Sequence, residues 1–452
     1  MTARPRLNAG SLFGAIAILL TLLSLALRPA YAEVDVTTVK AANGVSAWLV
    51  RDTALPLVHI KLAWRGGMAA DPENLNGLAA LMADLMTQGA GDMDAQAFQK
   101  ALADKAIKLG ISAGRDDINI TLQCLSRFKD DCFALLEKAL HQPRFDADAL
   151  ERARAARLAG LERRRQNPAS LAYNGFYENA FPNHPYGVSP DRQQAGLQRI
   201  TVADLRDQYE RHLARDNALV AIVGDMSQSE TRRLLTRLFG ALPENHRLTL
   251  PAFAKIEAKA KMLHQTRRGP QTTIYFGHQG IGYDHPDFFA HFVMNHILGG
   301  GGFTSRLTEE VREARGLAYS VVSYLSPGQF GNIWLGSVAS DNKTAQQALD
   351  IIRGEMQRLA DEGVSADRLA AAQTYLTGAY ALRFDSGSKI AGQLIGVRLN
   401  GLAADYFQTR NASIRAVTPA DIQRAARALL QPDRLIVSAV GGTPLELRPA
   451  TP

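Results

Sequence analysis

The residues best placed to do chemistry fall in one stretch, Leu298 to Ser320, which reads LGGGGFTSRLTEEVREARGLAYS. Arg312 and Tyr319 carry a guanidinium and a phenol, both hydrogen-bond donors. Four glycines, Gly299 to Gly302, precede them and follow the apolar run Phe288 to Leu298. Such a run gives up helix propensity and gains freedom at positive φ. A short helix is expected next, with Ser305 as N-cap, Leu307, Val311 and Ala314 on one face, and Gly316 as the stop. Glu309 and Glu310 early, and Arg312 and Arg315 late, suit the helix dipole. Strand alternation runs from Ala318 to Tyr324. Arg312 then closes a helix and Tyr319 opens a strand, and a turn between them is able to bring the two side chains to one place. Spacing alone favours a plainer arrangement, an Arg312–Glu309 surface pair and an ordinary strand aromatic.

The run Ser305-Arg306-Leu307, followed by Arg312-Glu313 and then Gly316-Leu317-Ala318-Tyr319, resembles the C-terminal half of the pitrilysin/insulinase family, the inverted zincins. The resemblance covers nearly the whole mature chain. It implies that Arg312 and Tyr319 hold the substrate and that Gly300, Gly301 and Gly302 let the substrate backbone come close. In active members the helix after the first long strand reads G-L-x-H-x-x-E-H: two histidines bind zinc and the glutamate activates water. A second glutamate on a later long helix completes the ligand set.

This chain departs from that pattern. Its helix reads Gly77-Leu78-Ala79-Ala80-Leu81-Met82-Ala83-Asp84-Leu85. Ala80 and Asp84 stand at the histidine positions and Ala83 at the general base. The third ligand should precede the Asn167-Pro168 break by about seven residues, where Gly160 and Leu161 stand; Glu162 is close but off register. A catalytic zinc needs three protein ligands and an open fourth position, and Ala83 cannot take a proton from water. No cofactor is expected in this chain. His291 and His296, five apart on a helix, point away from each other; His285 and His184 lie in loops. There is no G-x-S-x-G elbow and no phosphate loop.

The resemblance therefore implies a non-catalytic subunit, with zinc carried by a homologous partner in a heterodimer and peptides as substrates. The alternatives are a peptide-binding or assembly protein with no part in proteolysis and, last, a stand-alone zinc peptidase with rearranged ligands.

Composition fits this. The 452 residues are 46% apolar and 21% charged, which is globular. Arg4 and Arg6 precede an apolar core, Leu12 to Leu27, and Ala30-Tyr31-Ala32 supplies a cleavage site. Residues 1–32 thus read as a cleaved signal peptide, which in a bacterium implies the periplasm. Its loss removes Arg4, Arg6 and Arg28, lowering the net charge from +7 to +4 (7 − 3). With no basic block, nucleic acid is not an expected partner, and no later segment is long enough to span a membrane. Cys124 and Cys132 lack metal spacing and are either a local disulfide or two buried thiols.

The elements that must position these residues repeat. Thr201, Asp204, Asp216 and Gly224 recur as Thr418, Asp421, Asp433 and Gly441, each 217 residues on (418 − 201). A period this long marks a duplicated domain. The expected organisation is α+β, with two homologous tandem domains, each a mixed or antiparallel sheet packed with helices. They span residues 33–245 and 261–452, joined by a linker at 246–260.

Overall fold

The 217-residue offset is an offset in structure. Thr201 and Thr418 each accept a helix N–H and are each answered by an aspartate three residues on, Asp204 and Asp421, so both copies build the same capping box. Each capped helix leads into a fully buried strand ending in glycine. The computed structural model describes residues 34–257 and 259–448. The signal sequence and its cleavage site lie outside them.

The first half runs β1 (Thr37–Lys40), β2 (Ser46–Arg51), β3 (Leu57–Arg65), α1 (Leu78–Leu85), α2 (Ala95–Asp104), β4 (Lys108–Ala113) and β5 (Asp117–Leu125). It continues with α3 (Lys129–His141), α4 (Ala147–Gln166), α5 (Pro168–Ala180), α6 (Pro190–Arg199), α7 (Val202–His212), β6 (Ala218–Gly224) and α8 (Gln228–Phe239). The expected hairpin at Asn43-Gly44 pairs Thr37 with Leu49, and Gly44 takes φ +87° at its turn. Asn167-Pro168 ends α4 and also starts α5, Asn167 capping Ser170 N at 3.0 Å.

The second half runs β7 (Lys261–Thr266), β8 (Gln271–Gln279), α9 (Phe288–Asn295), β9 (Ala318–Ser326), β10 (Ile333–Asp341) and α10 (Ala345–Glu362). It ends with α11 (Ala366–Gly378), α12 (Gly387–Leu399), α13 (Tyr406–Ala416), α14 (Pro419–Leu429) and β11 (Ile436–Gly441). The sheets are ordered β1-β2-β6-β3-β5-β4 and β7-β11-β8-β10-β9. In each, one parallel pair (β2–β6, β7–β11) is followed by antiparallel neighbours. The sheets superpose in order once β1 is set aside, and β4 and β9 are equivalent edges.

Two helices are exchanged between the halves. Phe176, Tyr177 and Phe181, on and just after α5, pack with Leu335 of β10 and Ile436 of β11. Leu394 and Ile395 of α12 pack with Trp48, Leu219 and Val223 of the first sheet. Gly175 and Gly387 mark the close approaches: a Cβ there would lie 2.6 Å from Ser438 Oγ and 2.4 Å from His59 Cδ2. The described chain from Asp35 is accordingly one compact unit.

Two local expectations are corrected. The glycine run does not break α9. The helix widens into a π turn over His296–Gly300, and of the four glycines only Gly302 takes a positive φ, +60°. The segment after it is a π-helix, Thr308–Glu313, entered from Leu307. Ser305 is extended as a cap would be, but its hydroxyl donates to Gly302 O (2.8 Å) and lies 3.0 Å from the Thr308 hydroxyl instead of accepting a helix N–H. Gly316 does stop the segment, at φ +63°.

Candidate functional site

The Arg312–Tyr319 region is built on a buried polar anchor. Asn295, at the end of α9, donates to Ser323 O (3.0 Å), and its Oδ1 accepts from Ser323 Oγ (2.9 Å) and Trp334 Nε1 (2.8 Å). These bonds fix the edge strand β9 against the glycine turn. A Cβ at Gly299 would stand 2.5 Å from Ser323 Oγ and 2.8 Å from Ser323 N, so only glycine lets the strand pass this close. That is the duty of Gly299. Gly300 and Gly302 lie on the exposed rim with Gly301 half-buried between them, and a Cβ at Gly302 would meet nothing within 4 Å.

Arg312 and Tyr319 meet. The Arg312 guanidinium lies 4.9 Å from the Tyr319 ring and 4.6 Å from the Phe303 ring. Both rings are open to solvent, Tyr319 at 82% and Phe303 at 69%. The Arg312–Glu309 pair favoured by spacing does not form: Glu309 binds Arg368 at 2.7 Å, and Arg312 approaches Glu313 at 3.3 Å. Tyr319 is outward because β9 carries a bulge. Val321 pairs with Val338 but Ala318 pairs with Ser340, three residues against two. Alternation from buried Val321 and Ser323 would send residue 319 inward, and the extra residue re-aims it. The phenol hydroxyl makes no hydrogen bond among the described residues.

The corresponding region of the first half is arranged otherwise. Ala80 and Ala83 are buried within α1. Asp84 is gripped by Arg157 of α4, Nε to Oδ2 at 2.6 Å and Nη2 to Oδ1 at 2.8 Å, while Nη2 also reaches Ala80 O at 3.0 Å. Arg157 lies one helical turn before Gly160, and a cavity of about 670 Å³ opens beside Ala80, Arg157 and Gly160. A family member would hold zinc here, but these residues do not fit it. Two positions have no donor atom, the one carboxylate is already paired in bidentate fashion, and a fixed cation stands where another would have to enter. Arg157 was the residue the motif comparison missed. Its signal was the arginine at helical spacing before Gly160, facing an aspartate no zinc site needs.

No other metal site is available: among the described residues, no three His, Cys, Asp or Glu side chains cluster suitably. His291 binds Asp287 O at 2.8 Å and His296 stacks on Tyr375 at 5.3 Å. His184 accepts Tyr186 N at 3.2 Å. Cys124 and Cys132 are free, buried thiols in mutual contact.

Family comparison agrees with this architecture. Residues 49–189 match the model for insulinase (peptidase family M16), and residues 199–376 match that for the peptidase M16 inactive domain. A Helicobacter pylori relative, "non-peptidase homolog YmxG", is 27% identical over 376 residues, 83% of this chain and 86% of its own. The crystal structure of a peptidase M16 inactive domain from Pseudomonas fluorescens superposes with TM-score 0.83 at 28% identity, over 91% of this chain and 99% of that one. The periplasmic protease PqqL from Escherichia coli shares the fold, with TM-score 0.77 at 15% identity, over 91% of this chain and 45% of PqqL. With tandem M16 matches over most of its length, and alanines and a paired aspartate at the metal-binding positions, the chain belongs to the insulinase (M16) family as an inactive homologue.

Proposed function

We propose that the protein is the non-catalytic, substrate-holding subunit of a heterodimeric zinc endopeptidase that processes peptides in the periplasm. The zinc is carried by a homologous partner. The observation that carries this reading is the exposed Phe303–Arg312–Tyr319 stack. A bulge, a glycine and a buried asparagine network hold it in place, and it packs against no core. In this role Arg312 and Tyr319 donate to carbonyl oxygens of a bound peptide, Gly300 to Gly302 leave room for its backbone, and the edge of β9 offers unpaired backbone groups to an extended chain. The Arg4–Leu27 leader and its Ala30–Ala32 site supply the route to the periplasm. A donor aimed at a developing oxyanion is worth ~3 kcal/mol, or ~10²-fold in rate.

The test is reconstitution. Purified alone, the protein should cleave no peptide. Mixed with an H-x-x-E-H homologue from the same cell it should raise cleavage. In the mixture Arg312→Ala should lower the rate about 10- to 100-fold and Tyr319→Phe about 10-fold. If mixing changes no rate but peptide still binds, the protein is a peptide-binding or assembly module. Cleavage by the lone protein, stopped by a chelator, would mean a stand-alone peptidase.

A further inference from the structure

The cavity beside Ala80 and Gly160 has exchanged one kind of charge for another. Arg115, Arg157 and Arg164 line it. Arg157 is neutralised by Asp84. Arg115 is not neutralised: its guanidinium lies over the Tyr177 and Tyr186 rings at 4.1 and 4.9 Å and donates to Tyr173 Oη at 2.8 Å, without a carboxylate partner among the described residues. Arg164 has no ion pair or side-chain hydrogen bond among the described residues. Burial, then the like charges of Arg157 and Arg163, hold its pKa below the usual range.

The acids nearby are committed elsewhere. Asp71 accepts Gly77 N (2.8 Å) and Ala79 N (2.9 Å) at the start of α1, and burial pushes its pKa up to about 7. Asp116 accepts the Tyr186 hydroxyl at 2.6 Å and Gln329 N at 3.1 Å. Two uncompensated guanidiniums therefore face a space large enough for one or two residues of a ligand. A guanidinium fork matches a carboxylate.

The cavity is also joined to the Arg312–Tyr319 pair. Tyr275 of β8, which lines the cavity, pairs with Ser337 of β10, and Ser337 pairs with Val322 of β9, two residues from Tyr324. Tyr324 is five residues along the same strand from Tyr319, ~17 Å at the rise of a strand. We propose that this cavity is a carboxylate receptor: Arg164 and Arg115 bind an acidic group on an extended peptide whose backbone is held at Arg312 and Tyr319. This rests on the peptide-holding reading above. The carboxylate is either the peptide's C-terminus or an acidic side chain.

Isothermal titration of an eight-residue alanine- and leucine-based peptide into the purified protein decides it. Three forms are compared: free C-terminus, C-terminal amide, and the amide with one internal glutamate. At least one acidic form should bind 10-fold or more tightly than the plain amide, and which one gains identifies the source. Arg164→Gln, a solvent-facing change whose melting temperature checks the fold, should close that gap. Equal affinities for all three forms, or a gap that persists in Arg164→Gln, overturns the receptor while peptide holding stands. If none of the three binds, peptide holding itself fails and the receptor with it.

Discussion

The two halves share a strand order and a capping box, yet they treat an arginine in opposite ways. In the first half Arg157 closes on Asp84 and Ala80 O, so the position of the family's metal becomes an internal ion pair. In the second half Arg312 pairs, among the described residues, only with Glu313 and stacks between two exposed rings. A half-buried, bidentate pair is explained by structure alone. An exposed stack, set up by a bulge and a strand-hugging glycine, is not, because solvated aromatics add little stability. Duplication supplied two similar scaffolds. In the first, the metal-ligand positions are filled by packing and an ion pair; in the second, the side chains stay open to solvent, as the proposed peptide-holding role requires.

The halves should nevertheless share a sensitivity to acid, and that is the largest effect expected. Each buries a neutral histidine whose pKa burial lowers to about 4, His212 in the first and His278 in the second, and burial also lowers the pKa of His291 and His296 in the second. A lowered native pKa gives stability that is present above the unfolded value, near 6.5, and lost as pH falls toward 4. Each site accounts for ~3 kcal/mol on that scale. Asp71, raised to about 7, acts in the other direction, giving stability below its unfolded pKa of 3.8 that is lost as pH rises through 7. Two histidines outweigh one aspartate, so the melting temperature should drop between pH 6.5 and 4. His212→Gln and His278→Gln should each flatten a comparable part of the drop, with the remainder left to the other histidines whose pKa burial lowers, His291 and His296 among them. A profile flattened wholly by one substitution would show that the halves do not share the acid response.

Glycine substitutions separate the halves next. Gly299→Ala should cost about 1–3 kcal/mol, because Ser323 must move. It should also weaken peptide binding by displacing β9. Gly160→Ala places its Cβ 3.6 Å from the nearest atom, Arg163 Nη2, an ordinary contact inside a helix. It should stabilise by about 0.5–1 kcal/mol. Thermal denaturation of both variants checks the contrast, and similar losses in both would contradict it.

Much of this was legible in the residues. The capping boxes, the Asn43-Gly44 hairpin and the Gly316 stop are local signals, set within a few residues, and they hold. The meeting of Arg312 and Tyr319 was not readable from spacing, which favoured an Arg312–Glu309 pair; only the family resemblance pointed to it. The exchange of α5 and α12 was not readable either. Periodicity reports that a helix has a buried face, not whose sheet buries it. The bulge at Tyr319 was invisible for a similar reason: it is defined by the register against β10, a partner strand fixed only in the fold. Glycines 299 to 301 misled as a break, since propensity argues against helix there while Ser323 at Gly299 and His296 O at Gly301 leave no room for a Cβ.

The measurement that bears most directly on the division between the halves is a zinc titration of the purified protein by calorimetry. With Ala80, Ala83 and Gly160 offering no donor and Asp84 held by Arg157, no binding tighter than about 10 μM should appear, against the nanomolar or tighter affinity of a complete three-ligand site. One zinc per chain held at submicromolar affinity, and lost in Asp84→Ala, would show that the first half still builds a metal centre and would contradict the account.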